Sequence, residues 1–112
     1  MLSGALLCLA MVVNGEARGE PLYGQVAVAM VVLNRAHETR RETCEESRRY
    51  AQFVRRTGKG MDESFYAANI ARQLYPWLPA QLRDNWYFHT TDVNPRYGHY
   101  NQSIGHHRFY TR

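Results

Sequence analysis

A chain of 112 residues, 45% of them hydrophobic and 21% charged, can bury one core and is too short for two, so residues 1–112 are expected to form a single domain. The formal charge of +4 and a sequence pI near 9.3 favour anionic partners, among which charge alone does not choose: nucleic acid, acidic lipid and envelope polymers all qualify. Two cysteines, Cys8 in an apolar run and Cys44 in a charged one, are too few for a disulfide framework or a four-ligand zinc site, and point to a reduced compartment or to indifference to redox.

The apolar start, Met1 to Val13, has no Lys or Arg before it, no small-residue cleavage site and too few residues to span a bilayer. It is expected to be a buried first helix, without stable membrane insertion, ending near Gly19 where Pro21 disfavours helical geometry at Glu20. Val26, Met30, Leu33 and His37 recur at helical spacing and predict a second buried helix over Leu22–His37. The two helices make a hairpin with Glu16 near its corner. From Glu38 to Gly60, arginines alternate with glutamates and the stretch reads as surface. Asp62 is placed to cap a third helix, Glu63 to Tyr75, with Tyr66, Ile70 and Leu74 on one face. Trp86 to Thr91 reads as a strand, Asn94-Pro95 as a turn, and Ile104 to Tyr110 as a second strand pairing with the first.

Glu16 stands out because it ends an apolar helix, with Gly15 before it and the Gly19-Glu20-Pro21 break after it. Burial disfavours a charged carboxylate, and a carboxyl group still protonated near neutral pH is what cleavage of a glycosidic bond requires. From spacing alone the plainer reading, that Glu16 caps a neighbouring helix or pairs with Arg18 or Arg35, is the favoured one.

The run Asn14-Gly15-Glu16-Ala17-Arg18-Gly19-Glu20-Pro21, continued by Gly24-Gln25-Val26-Ala27 and Val32-Leu33-Asn34-Arg35, closely resembles the opening motif of the SleB-type cell wall hydrolases, a family of spore-cortex lytic enzymes. Gln52-Phe53, Phe88-His89, Asn94-Pro95 with Tyr97, and Ile104-Gly105 with His107, Phe109 and Tyr110 are similar to its later blocks, in the same order. The resemblance implies an α+β, mostly helical, lysozyme-like domain with a short β-hairpin near the C-terminus. It also implies cleavage of the β-1,4 bond between N-acetylmuramic acid and N-acetylglucosamine in bacterial peptidoglycan, with Glu16 as proton donor and no cofactor. A lytic transglycosylase closes an anhydro ring with the sugar's own hydroxyl and needs one carboxyl group. A hydrolytic muramidase normally uses two, roughly 5 Å or 6.5–9.5 Å apart, and Asp92 and Glu20 are the candidates for the second. A break at Gly19 would leave Glu20 a structural part in the hairpin corner.

Among the aromatics, Tyr87 and Tyr110 are assigned to the cleft, while Trp86, Phe88 and Phe109 are read as packing. Gln52 and Asn94 are amide partners for N-acetyl groups and hydroxyls, although an amide at a turn is commonly structural. A zinc reading of His89, His99, His106 and His107 lacks a His-Glu-x-x-His helix, and adjacent His106 and His107 would point to opposite faces of a strand. No metal is expected; His89 and His107 are instead expected to hydrogen-bond in the cleft floor or to orient Glu16.

Asn14, Val54 and the charged Glu38–Arg49 stretch depart from the family's usual pattern, which puts details of the cleft in doubt. A basic wall hydrolase without an evident export signal or wall-binding domain looks like a bacteriophage endolysin, monomeric, waiting in the host cytoplasm until lysis and then acting on the wall in the periplasm. The rivals are an N-acetylmuramoyl-L-alanine amidase and a basic nucleic-acid-binding module. The second is disfavoured because glutamates partly cancel its arginines and no nucleic-acid motif is present.

Overall fold

The structure, a computed structural model, describes residues 4–50, 52–53, 59–90 and 98–112. Four helices come first: α1 (Gly4–Ala17), α2 (Leu22–Thr39), the short α3 (Thr43–Ser47) and α4 (Met61–Leu74). A 3-10 turn at Tyr75–Trp77 and a single helical turn, α5 (Ala80–Arg83), lead to three strands, β1 (Asn85–Thr90), β2 (His99–Ile104) and β3 (His107–Thr111). The chain is therefore α+β and mostly helical.

Helix α1 is buried on nearly every side because its apolar residues have no single stripe. Leu9, Val12 and Val13 are wholly inaccessible, and burying each aliphatic side chain contributes about 1.5–3 kcal/mol. Helices α2, α3 and α4 all pack on it, and β1 lies along α2. Of the three residues read on one face of α4, only Ile70 packs against the core. Tyr66 and Leu74 are exposed, while Ala67, Ala68 and Ala71 are wholly buried. Small side chains allow the helices to approach closely, and large ones on that face would hold them apart. Gly60, at a positive φ of 83°, precedes α4 where Asp62 was expected to cap it; Asp62 instead lies in the first turn.

The sheet has the order β1-β3-β2 with both pairings antiparallel. The predicted pairing of the last strand with the first is present, but Ile104 belongs to β2, a strand missing from the sequence reading. Gly105 (φ 58°) and His106 form the tight turn between β2 and β3, as expected of a two-residue hairpin connection. His106 and His107 consequently do not alternate across one strand. One sits in the turn and the other opens β3.

The cysteine reading is also overturned: Cys8 and Cys44 form a disulfide between α1 and α3 across 36 residues of sequence. The helix packing brings their Cα atoms to 5.1 Å, within bonding range, a proximity invisible in the spacing of two cysteines. The segment read as surface likewise carries a buried charge centre. The Glu46 carboxylate is 1% exposed and lies 3.6 Å from Arg35, 3.2 Å from Arg41 and 4.0 Å from Arg49. Three guanidinium groups compensate a desolvation that one carboxylate could not bear alone.

Candidate active site

Glu16 occupies the last turn of α1, half-buried. Its Oε2 accepts a long hydrogen bond, 3.4 Å, from the Gln52 backbone N–H. Gly15 makes this approach possible, since a Cβ at that position would stand 1.8 Å from the Gln52 carbonyl oxygen. Burial pushes the Glu16 carboxyl above its ordinary value, and the single Gln52 hydrogen bond only partly opposes this. The ion pairs that spacing allowed lie elsewhere: Arg18 reaches the Lys59 carbonyl, and Arg35 turns to Glu46 and lies over the rings of Trp86 and Tyr87.

Glu20 has the opposite surroundings. Gly19 takes a positive φ of 86°, which ends α1 and turns Glu20 toward the β2–β3 hairpin. There Oε1 accepts the His106 backbone N–H at 2.6 Å, and Oε2 lies 2.8 Å from His106 Nδ1. His107 Nδ1 is 3.6 Å from Oε1. Burial raises the Glu20 pKa, but the side-chain and backbone hydrogen bonds from His106 and the charges of both imidazoles outweigh it, so the carboxyl is held below its ordinary value. Gly105 admits this contact, because a Cβ there would lie 2.3 Å from Glu20 Oε1. Gln25 adds a brace, donating to the Glu20 carbonyl at 2.9 Å and to Glu63 on α4.

The wall beside Glu16 is aromatic. Tyr50 stacks on Phe88, with centroids 6.0 Å apart and planes 6° apart, and Phe88 meets the buried His107 edge-on at 5.4 Å. Burial, first of all, drives the Tyr50 hydroxyl's pKa far up; Arg35 opposes this, and Glu46 and Glu16 add to it. Tyr50 thus remains a neutral hydroxyl at any working pH. The sequence reading missed it, because an aromatic at the end of an arginine-rich stretch carries no periodic signal. Its position two residues before Gln52-Phe53 was the only clue.

The predicted binding residues do not all converge. Gln52 adjoins Glu16 through its backbone. Tyr87, His89 and Tyr110 share the sheet face opposite His107, Phe109 and Phe88, as the strand alternation and the 6.1 Å contact of His89 with Tyr110 show. Burial lowers the His89 pKa. Phe88, read as packing, is on the Glu16 side. Asp92, Asn94, Pro95, Tyr97, Thr91 and Val54 lie outside the described residues. The unusual Asn14 is buried, donating to the Lys59 carbonyl at 2.9 Å and to Ser64 Oγ at 3.3 Å, and so joins α1 to α4. Among the described residues no group of three or more His, Cys, Asp or Glu is placed to hold a metal ion, and no helix is long and apolar enough to cross a membrane.

The domain thus places a half-buried carboxyl group, its pKa pushed up by burial, at a helix end beside an aromatic wall. The chain belongs to the Cell Wall Hydrolase family, whose profile matches residues 19–110 and so begins three residues after Glu16. The same fold occurs in the catalytic domain of the Bacillus cereus SleB protein, with a TM-score of 0.70 and 25% identity over 99% of this chain and 93% of that one. It recurs in the catalytic domain of the germination-specific lytic transglycosylase SleB from Bacillus anthracis, with a TM-score of 0.67 and 25% identity over 98% and 97%. No curated protein matches the sequence.

Proposed function

We propose that this chain cleaves the glycan strands of peptidoglycan at the β-1,4 bond between N-acetylmuramic acid and N-acetylglucosamine, with Glu16 as general acid. The observation that carries the reading is the Glu16 environment: a half-buried carboxyl group whose pKa is pushed up by burial, with one long hydrogen bond to oppose it, at a corner that the glycines hold open. Protonation of the leaving oxygen is the step such a group performs. The other carboxylate at the corner, Glu20, has both oxygens committed to the hairpin, which favours a reaction run by one glutamate, the lytic transglycosylase course, over a two-carboxylate hydrolysis.

The setting we propose is the bacterial envelope, reached by a monomeric phage endolysin that waits in the host cytoplasm. The Cys8–Cys44 bond suits the wall side of this journey, since thiols stay reduced in the cytoplasm and pair in the periplasm. Detection of a cleaved, periplasmic form in cells lacking any phage pore protein would count against it.

The decisive experiment is mass spectrometry of fragments released from purified peptidoglycan by the wild type and by Glu16→Gln. Anhydro-muramic ends that vanish in the variant, with turnover reduced about 10²–10⁴-fold, support the reading. Reducing muramic ends would assign a hydrolytic muramidase and direct attention to Asp92. Free stem peptides, or a fully active variant, would replace the glycosidase with the amidase alternative.

A further inference from the structure

We propose that the Cys8–Cys44 bond is a thiol–disulfide exchange site, opened at Cys44 by a small thiol, and that its opening loosens the segment against Glu16 and slows turnover; the inference rests on Glu16 being the acid. Two stretches of chain lie side by side. Cys8 precedes Glu16 by eight residues on α1, and Cys44 precedes Gln52 by the same eight. The disulfide joins them at one end. At the other, Glu16 Oε2 accepts the Gln52 N–H at 3.4 Å, and the Gln52 carbonyl lies so close to Gly15 that no Cβ would fit between them. The two ties stand about 12 Å apart along α1, at 1.5 Å per residue. Between them the second stretch is coupled by its own backbone: the Arg48 N–H donates to the Cys44 carbonyl at 3.1 Å, that of Tyr50 to Ser47 at 3.2 Å, and that of Phe53 to Tyr50 at 3.1 Å. One tie is a single long hydrogen bond and the other is covalent, so the covalent one sets how closely this stretch lies on α1.

The two sulfurs differ in access. Cys8 is 8% exposed among the core residues of α1, whereas Cys44 is half-buried at the start of α3. Exchange proceeds by attack of a thiolate on one sulfur and departure of the other. The incoming thiolate bonds to Cys44 Sγ, the S–S bond breaks, and Cys8 leaves as a thiolate that takes up a proton. A second thiol attacks the mixed disulfide, frees Cys44 and carries the first thiol away as its disulfide, so two electrons and two protons pass to the protein. The Gly4 carbonyl oxygen lies 3.1 Å from Cys44 Sγ, an acceptor for the thiol so formed. The fold outlasts the bond, because α3 has a second anchor of different chemistry: its buried Glu46 carboxylate faces Arg35 of α2 at 3.6 Å and Arg41 at 3.2 Å. Reduction therefore frees α3 from α1 and leaves it on α2. The Gln52 end then backs away from Glu16 and lessens its burial, the larger cause that holds this carboxyl above its ordinary value. A compartment that keeps thiols reduced holds the enzyme slow, and one in which they pair runs it at full rate.

The test assays the wild type on purified peptidoglycan before and after dithiothreitol, and again after reoxidation with glutathione disulfide. Reduction should expose two thiols, lower kcat about tenfold and move the alkaline limb of the pH–rate profile to lower pH, and reoxidation should reverse all three. Cooperative melting should persist at a lower Tm. A brief pulse of glutathione, read by peptide mass spectrometry, should trap the mixed disulfide on Cys44. Hydrogen exchange should quicken at the Tyr50 and Gln52 amides and stay unchanged across Val26–Val32 of α2. The double variant Cys8→Ala, Cys44→Ala should turn over at the reduced rate and ignore the reductant. A reduced wild type with unchanged kcat, a loss of kcat that comes only with loss of the cooperative melt, or glutathione trapped on Cys8 overturns the inference. Glu16→Gln measured alongside separates the two readings, because an active Glu16→Gln enzyme removes the acid itself, whereas an inactive one beside a fully active reduced wild type removes only the redox control.

Discussion

The last turn of α1 and the corner that follows it carry glutamates four residues apart in opposite states. Glu16 is desolvated and given one long hydrogen bond, so it tends to keep its proton. Glu20 is met by a backbone N–H and two imidazoles, so it tends to lose its proton. Two carboxyl groups of the same type are shifted in opposite directions by their surroundings alone. The glycine beside each one is what admits the partner: Gly15 lets the Gln52 backbone reach Glu16, and Gly105 lets the hairpin reach Glu20.

The largest effect expected, after loss of the acid itself, comes from Gly15→Ala. Alanine favours a helix by about 1 kcal/mol over glycine, yet its Cβ would collide with the Gln52 carbonyl at 1.8 Å. The segment must retreat, and turnover on peptidoglycan should fall about 100-fold. Wild-type turnover would show that the Gln52 contact is incidental to Glu16.

Breaking the Cys8–Cys44 bond with a double alanine substitution should cost about 2–4 kcal/mol, a fall of roughly 8–17 °C in Tm. The bond pins α3, and the chain runs on from α3 through Tyr50 to Gln52, so the loss should be felt on the Glu16 side of the corner. The shift of Glu16 titration, followed by carboxyl NMR in the alanine variant, should shrink, and that of Glu20 should stay. Equal changes at both would erase the distinction drawn between the two sites.

Acid stability sharpens the contrast further. The Glu20 carboxyl is held below its ordinary value of 4.5, so its ionisation stabilises the fold above that pH and the benefit is lost as pH falls through the folded value. Glu20→Gln should therefore be less stable than the wild type at pH 7, and the gap should close in melts taken at progressively lower pH. The smallest effect has the reverse sign. Glu16 is held above 4.5, so the fold favours its protonated form and loses that advantage as pH rises through the folded value. Glu16→Gln should melt slightly above the wild type at pH 7 and coincide with it below pH 4. A Glu16→Gln protein destabilised at pH 7 would mean that the carboxylate is stabilised by its site.

Much of this corner was legible beforehand. The apolar run and the Gly19-Pro21 break foretold the helix, its end and the isolation of Glu16, because local backbone preferences decide all three. The hairpin partner was not legible: His99 to Ile104 alternates only weakly between buried and exposed, so it lacks the hydrophobic period by which strands are recognised. The buried alanines of α4 were not legible either, because tyrosine and leucine outrank alanine in hydrophobicity, whereas close helix contact selects for small size.

The sequence by itself determined the helical order, the family motif and the glutamate that stands at the break, since these depend on residues near one another along the chain. Only the tertiary structure decided which cysteines meet, which glutamate the hairpin binds, and which of the two carboxyl groups is pushed up in pKa and which is held down. Those outcomes depend on distances between segments separated by 36 to 86 residues, and desolvation and hydrogen bonding act through such distances, with no trace in the spacing of the letters.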